Sequence, residues 1–195
     1  TSLLLGLPLG LALALARVQP QAAVSAPAAV YVEIVRGTPL LVQILFIYFV
    51  LPVAGVNLPA IASGIVALTL NAAAYISEII RAGILSIDAG QMEAARALRM
   101  TYWQAMRRVI LPQTFRRVVP PLPNEGIALL KDSSLVSVIG LTELARTGQE
   151  LASRYAAPLT IWPFVALLYL ALTFPLTRVT QYLEEVRHPT PVGPK

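Results

Sequence analysis

Asn71, Tyr75 and Glu78 stand four and three positions apart inside an apolar run, so any helix that holds them carries all three on one face. A second apolar run is interrupted by Lys131, Asp132 and Ser133. An ionisable group in apolar surroundings is costly unless it meets a partner or a water-filled cavity, and each is therefore a candidate contact for a charged ligand. Lys131 suits a carboxylate, while Glu78 or Asp132 suits an ammonium or a guanidinium group; together they match the two ends of a zwitterion. A structural role stays open for each. Glu78 lies about 30 Å along a helix from Leu58, near enough to an interface to pair with Arg81 one turn on. Lys131 and Asp132 can pair with each other inside a bundle. Asn71, about 20 Å along, is deeper and harder to read as a surface residue.

Other chemistry is excluded by what the chain lacks. There is no G-x-x-x-x-G-K-[ST] loop, and the only lysines are Lys131 and Lys195, so phosphate binding of the P-loop kind is absent. Cysteine is missing and the single histidine, His188, sits in a proline-rich tail, which removes disulfides, cysteine metal sites and a histidine triad. The sequence therefore reads as a non-enzyme that carries no cofactor or metal of its own.

The elements that must hold these residues are set by hydropathy. Hydrophobic residues make up 56% of the 195 and charged residues 13%, against about 25% charged in a soluble domain. Apolar segments run over 2–16, 40–56, 58–80, 118–141 and 158–176. Their length and continuity predict helices rather than barrel strands. The expected fold is all-α: one integral membrane domain over 1–195, a helical bundle of about five transmembrane helices. The first run reaches only about 22 Å, and Thr1 is no start methionine, so the chain is expected to begin inside its first membrane helix.

Seven arginines (81, 96, 99, 107, 108, 116 and 117) crowd into residues 81–117, which predicts a cytoplasmic loop there. Five spans then put residues 17–36 and the C-terminus inside. The net charge of +5 comes from arginines near the ends of apolar segments, a topology signal rather than a nucleic-acid footprint. No internal repeat is visible, which argues against an inverted-repeat secondary carrier.

Within that loop Glu93-Ala94-Ala95 opens a short, alanine-rich helix former. Small side chains permit close approach of a partner backbone, and Glu93 near the amino end suits the helix dipole. With the later Val109-Ile110-Leu111-Pro112, this segment resembles the EAA loop of ATP-binding cassette (ABC) importer permeases. The resemblance extends upstream through Glu33 and Arg36-Gly37-Thr38-Pro39, and downstream through Asn124-Glu125-Gly126 and Lys131-Asp132-Ser133-Ser134. It spans most of residues 31–145 and looks like the polar amino acid uptake branch.

The resemblance implies a permease subunit in the cytoplasmic (inner) membrane of a prokaryote. Its expected partners are ABC ATPase subunits carrying ATP and magnesium, a second permease subunit and an extracytoplasmic amino acid binding protein. It implies that Glu93, Ala94, Ala95, Arg99, Leu111 and Pro112 form the ATPase-coupling surface. Asn71, Tyr75, Glu78, Lys131, Asp132 and Ser133 would line the substrate path. The departure is Arg99, where the family has glycine in a turn between two short helices; an L-residue held left-handed there costs about 1 kcal/mol or more. The alternative is a non-transporting membrane scaffold or assembly subunit.

Overall fold

The computed structural model describes residues 1–187; His188, the Pro189–Lys195 tail and hence the sidedness expected of the C-terminus lie outside the described residues. Among the described residues the secondary structure is helical throughout. Helix α1 is Ser2–Arg17, α2 is Ala22–Gly37 and α3 is Leu40–Leu45, prolonged by a π turn at Phe46–Val50 and a 3-10 turn at Leu51–Ala54. The long α4 is Ala60–Leu85. Short elements follow: α5 Ala89–Ala97, α6 Tyr102–Ala105, a π turn Met106–Ile110 and α7 Leu111–Val118. Then come α8 Leu122–Asp132, a 3-10 stretch Ser133–Ile139, α9 Leu144–Arg154 and α10 Pro158–Arg187.

By length and apolarity, two described helices can each cross a membrane: α4 and the Pro158–Tyr182 part of α10. The broken pair Ala22–Gly37 and Leu40–Ala54 makes a third if it counts as one span. The five apolar segments of the sequence thus map onto two continuous crossing helices and three shorter or interrupted ones. The segment over 118–141 is divided because Lys131-Asp132 ends α8 and the chain tightens into a 3-10 stretch after it. Residues 22–37, read from sequence as a connection, form α2. Glu33, Arg36 and Pro27 lower its hydropathy below what marks a span, yet its alanines are good helix formers.

The chain forms two compact units. One comprises Thr1–Thr38 and Thr69–Leu122, the other Pro39–Leu68 and the chain from Pro123 onward. In the first, α1 lies against α4 at glycine: a Cβ added to Gly10 would stand 2.6 Å from Ile76 Cγ2, so only glycine allows this approach. Ala72, Ala73 and Ile76 are fully buried there. The Tyr31 hydroxyl on α2 donates to the Leu70 carbonyl on α4 at 2.8 Å. In the second unit α9 packs on α10, and Glu143 caps α9 by accepting from the Ala145 and Arg146 amides. The Tyr169 hydroxyl on α10 donates to the same carboxylate at 3.0 Å.

Candidate functional site

Helix α5 carries the Glu93-Ala94-Ala95 motif and is held at both ends. Asp88 accepts from the Gly90 amide at 2.7 Å, which satisfies one of the orphan donors at the helix start. At the other end Met100 N–H donates to the Ala95 carbonyl and Arg99 N–H to the Arg96 carbonyl, the paired bonds of a Schellman cap. That cap places its C′ residue in the left-handed region, and the residue is Arg99, at φ 59°. The turn keeps the geometry that glycine would adopt, with arginine bearing the strain. Thr101 and Gln104 then form a capping box that starts α6.

Glu93, Ala94 and Arg99 are exposed, whereas Ala95 is 3% exposed and packs inward. Of the motif's two alanines only Ala94 is presented. No motif marks Leu98, which stands 78% exposed beside Arg99; an apolar side chain that open in a capped helix turn is the signal for it. Pro112 is exposed, but Leu111 lines an apolar groove with Leu7, Leu11 and Ile80. Side-chain hydrogen bonds tie the segment together and to its neighbours in the unit. The Tyr102 hydroxyl donates to the Val18 carbonyl at 3.1 Å, Gln113 Nε2 donates to Gln91 Oε1 at 3.2 Å, and Arg117 donates to the Ser86 carbonyl and hydroxyl. Burial pushes the Tyr102 phenol up, with the Arg96 charge acting against it.

In the same unit, three guanidinium groups converge on Glu78. Arg17 Nη1 lies 2.6 Å from Oε2, Arg81 Nη2 lies 2.6 Å from Oε1, and Arg36 Nη1 approaches Oε2 at 3.3 Å. Arg36 also sits over the Tyr75 ring, 5.3 Å from its centroid. Both carboxylate oxygens are thus engaged. The pairing with Arg81 read from sequence is present, and Arg17 and Arg36 join it. Nothing local announces them, since they lie on α1 and α2. Asn71 is buried one turn before Tyr75.

Lys131, Asp132 and Ser133 lie in the other unit. Lys131 is exposed, and no ion pair joins it to Asp132 or to any other acid among the described residues. The structural pair that the sequence left open does not form. The Ser133 hydroxyl donates back to the Leu130 carbonyl at 2.7 Å. Among the described residues no group of three or more potential metal ligands occurs.

An exposed, doubly capped EAA helix beside a membrane-crossing helix can be weighed against known proteins. Residues 6–186 match the family described as binding-protein-dependent transport system inner membrane component. The chain belongs to this family. It is therefore an all-α membrane permease, and the ATPase of such systems is a separate subunit. The permease is 43% identical over 159 residues to the glutamine transport system permease protein GlnP of Escherichia coli (strain K12), covering 80% of this chain and 73% of that one. It is 42% identical over 184 residues to the L-cystine transport system permease protein TcyB of Bacillus subtilis (strain 168), covering 94% and 79%.

Among solved structures, the crystal structure of an amino acid ABC transporter with histidines matches the permease with a TM-score of 0.87 and 40% identity, over 94% of this chain and 86% of that one. An inward-facing MetNI methionine ABC transporter matches at a TM-score of 0.78 and 22% identity, over 96% and 89%, which shows the shared fold. These matches favour transport over the scaffold reading.

Proposed function

We propose that this permease moves polar amino acids inward across the cytoplasmic membrane, powered by ATP and magnesium on partner ATPases docked at α5. The observation that carries the coupling half of the reading is the α5 surface: Glu93, Ala94 and Leu98 stand exposed on a helix capped at both ends. A rigid protruding helix can be pushed as a unit when a partner changes shape. Residues 81–117 are then the cytoplasmic loop. A second permease chain, identical or sister, and an extracytoplasmic binding protein complete the assembly. The C-terminus lies inside on the same reading. The substrate class follows the relatives, named for glutamine, cystine and amino acids.

For the substrate, Lys131 is the carboxylate partner, because it is exposed and no salt bridge among the described residues holds it. Asp132 serves the ammonium end, with Ser133 beside it. Asn71 and Tyr75 contribute polar contacts on α4. Glu78 takes part only by exchanging one guanidinium for the cationic group of the substrate, and Arg36, at 3.3 Å the loosest of the three, is the one to yield.

Uptake of labelled arginine, glutamine, glutamate and histidine by the reconstituted complex tests the reading. Lys131→Gln should raise the half-saturating concentration about tenfold, the scale of one charge-assisted contact, with assembly retained. Glu93→Lys should abolish substrate-stimulated ATP hydrolysis. Normal coupling in Glu93→Lys, together with full ATPase co-purification, would remove α5 as the docking element.

A further inference from the structure

Two concave features of the first unit lie along one helical run. At its start, Trp103, Gln104, Arg107 and Arg108 line a pocket of about 500 Å³ whose wall mixes apolar surface with the two guanidinium groups. Farther on, Leu111, Phe115, Val118 and Leu122 join Leu7 and Ile80 in an apolar groove of about 430 Å³. The spacing is regular through α7: 103, 107, 111, 115 and 118 advance by four, four, four and three, and Leu122 joins from the start of α8. A π turn at Met106–Ile110 carries more residues per turn than an α-helix, so it holds Arg107 and Leu111 nearly in line. Arg107 and Phe115 are eight residues apart, about 12 Å along the run.

Arg107 and Arg108 are exposed, and neither has an acidic partner among the described residues. Trp103 is 54% and Phe115 67% exposed. The order along the run is aromatic, paired cations, then an apolar channel.

We infer that this run is a binding site for one anionic phospholipid of the inner leaflet, its phosphate on Arg107 and Arg108 and an acyl chain in the groove beyond. Each rival occupant satisfies half of it. An acidic protein surface or free phosphate neutralises the arginines and leaves the groove open. A second copy of this face fills the groove but sets arginine against arginine. A zwitterionic lipid fills the groove and brings its own cation to the two guanidinium groups. Indole rings favour the headgroup level of a bilayer, and basic residues there attract anionic lipid. The site rests on the cytoplasmic placement of residues 81–117; a cysteine at Gln104 that is labelled only from inside tests that placement on its own.

The decisive measurement is lipid binding to the delipidated importer complex by native mass spectrometry, titrating dioleoyl phosphatidylglycerol, dioleoyl phosphatidylcholine and inorganic phosphate separately. The wild type should retain phosphatidylglycerol in clear preference to phosphatidylcholine. Arg107→Gln with Arg108→Gln should weaken phosphatidylglycerol by about 30-fold, the effect of two surface charges of about 1 kcal/mol each, and leave phosphatidylcholine unchanged. Phe115→Glu should weaken both lipids. Both sets of positions are exposed, so the variants should fold. Equal binding of the two lipids by wild type, full displacement by inorganic phosphate, or retained preference in the double variant would each overturn the assignment. So would binding to the permease alone that vanishes once the ATPases are present, since a protein face would then own the pocket.

Discussion

Helices α4 and Pro158–Tyr182 of α10 are nearly matched as strings of residues: 26 and 25 long, with mean hydropathy 1.6 and 1.9 in their most apolar windows. Yet 61% of that window is buried in α4 and 6% in α10. Hydropathy measures the solvent a helix tolerates, and lipid and protein interior are about equally apolar, so it cannot say which of the two surrounds a helix. The polar residues tell more. Ser63, Thr69, Asn71 and Ser77 are buried along α4, and Glu78 is clamped near its end, whereas α10 shows a face of leucine, phenylalanine and tryptophan outward. Its buried seam is narrow: Val165 and Thr180 among the described residues, with Tyr169 half-buried between them.

The largest test of this contrast is truncation. Ile76→Ala on α4, at a fully buried position, should lower unfolding stability by about 3–4 kcal/mol through the cavity it leaves. Leu167→Ala on α10, 61% exposed, should cost less than about 0.5 kcal/mol. Thermal denaturation in detergent reads both, and similar losses would break the comparison.

Charge gives the next test. Glu78→Gln leaves three guanidinium groups without their shared counter-ion and should cost about 2–3 kcal/mol, somewhat under the value for fully buried pairs because the site is part-open to solvent. Within the cluster Arg17→Gln should cost more than Arg36→Gln, since Arg17 is 11% exposed and 2.6 Å away while Arg36 is 40% exposed and 3.3 Å away. Arg178→Gln on the open face of α10 should cost less than about 0.5 kcal/mol. If Arg178→Gln cost as much as Glu78→Gln, α10 would have a buried face that this structure lacks.

A hydroxyl deletion sharpens the picture of α10. Tyr169→Phe removes the hydrogen bond to Glu143 and should cost about 1 kcal/mol, while Tyr182→Phe, at a 67% exposed position, should be neutral. Equal effects would erase the distinction between seam and lipid face.

The smallest effect lies in the segment that α4 feeds. Arg99→Gly should raise stability by about 0.5–1 kcal/mol, because relief of the left-handed strain is partly offset by the extra freedom glycine gives the unfolded chain. Thermal denaturation in detergent reads this too, and a loss instead would mean that the Arg99 side chain makes a stabilising contact of its own within the permease.

The sequence by itself determined the solvent, the helical class and the EAA helix, each from residues within a few positions of one another: apolar runs and alanine content. The turn at Arg99 was implied only by resemblance, and the left-handed backbone there is a finding of the structure. The sequence also placed Asn71, Tyr75 and Glu78 on one face, because the helical period does so wherever the helix sits. Tertiary structure decided the rest. Arg17 reaches Glu78 across 61 positions, Tyr102 reaches Val18 across 84, and Ala95 turns inward while Ala94 does not. Such partnerships depend on which helices pack together and on the glycine that lets them, as Gly10 does against Ile76. Two helices of similar hydropathy became one largely buried and one largely exposed for the same reason: burial belongs to the neighbours a helix acquires, and a single stretch of sequence contains none of them.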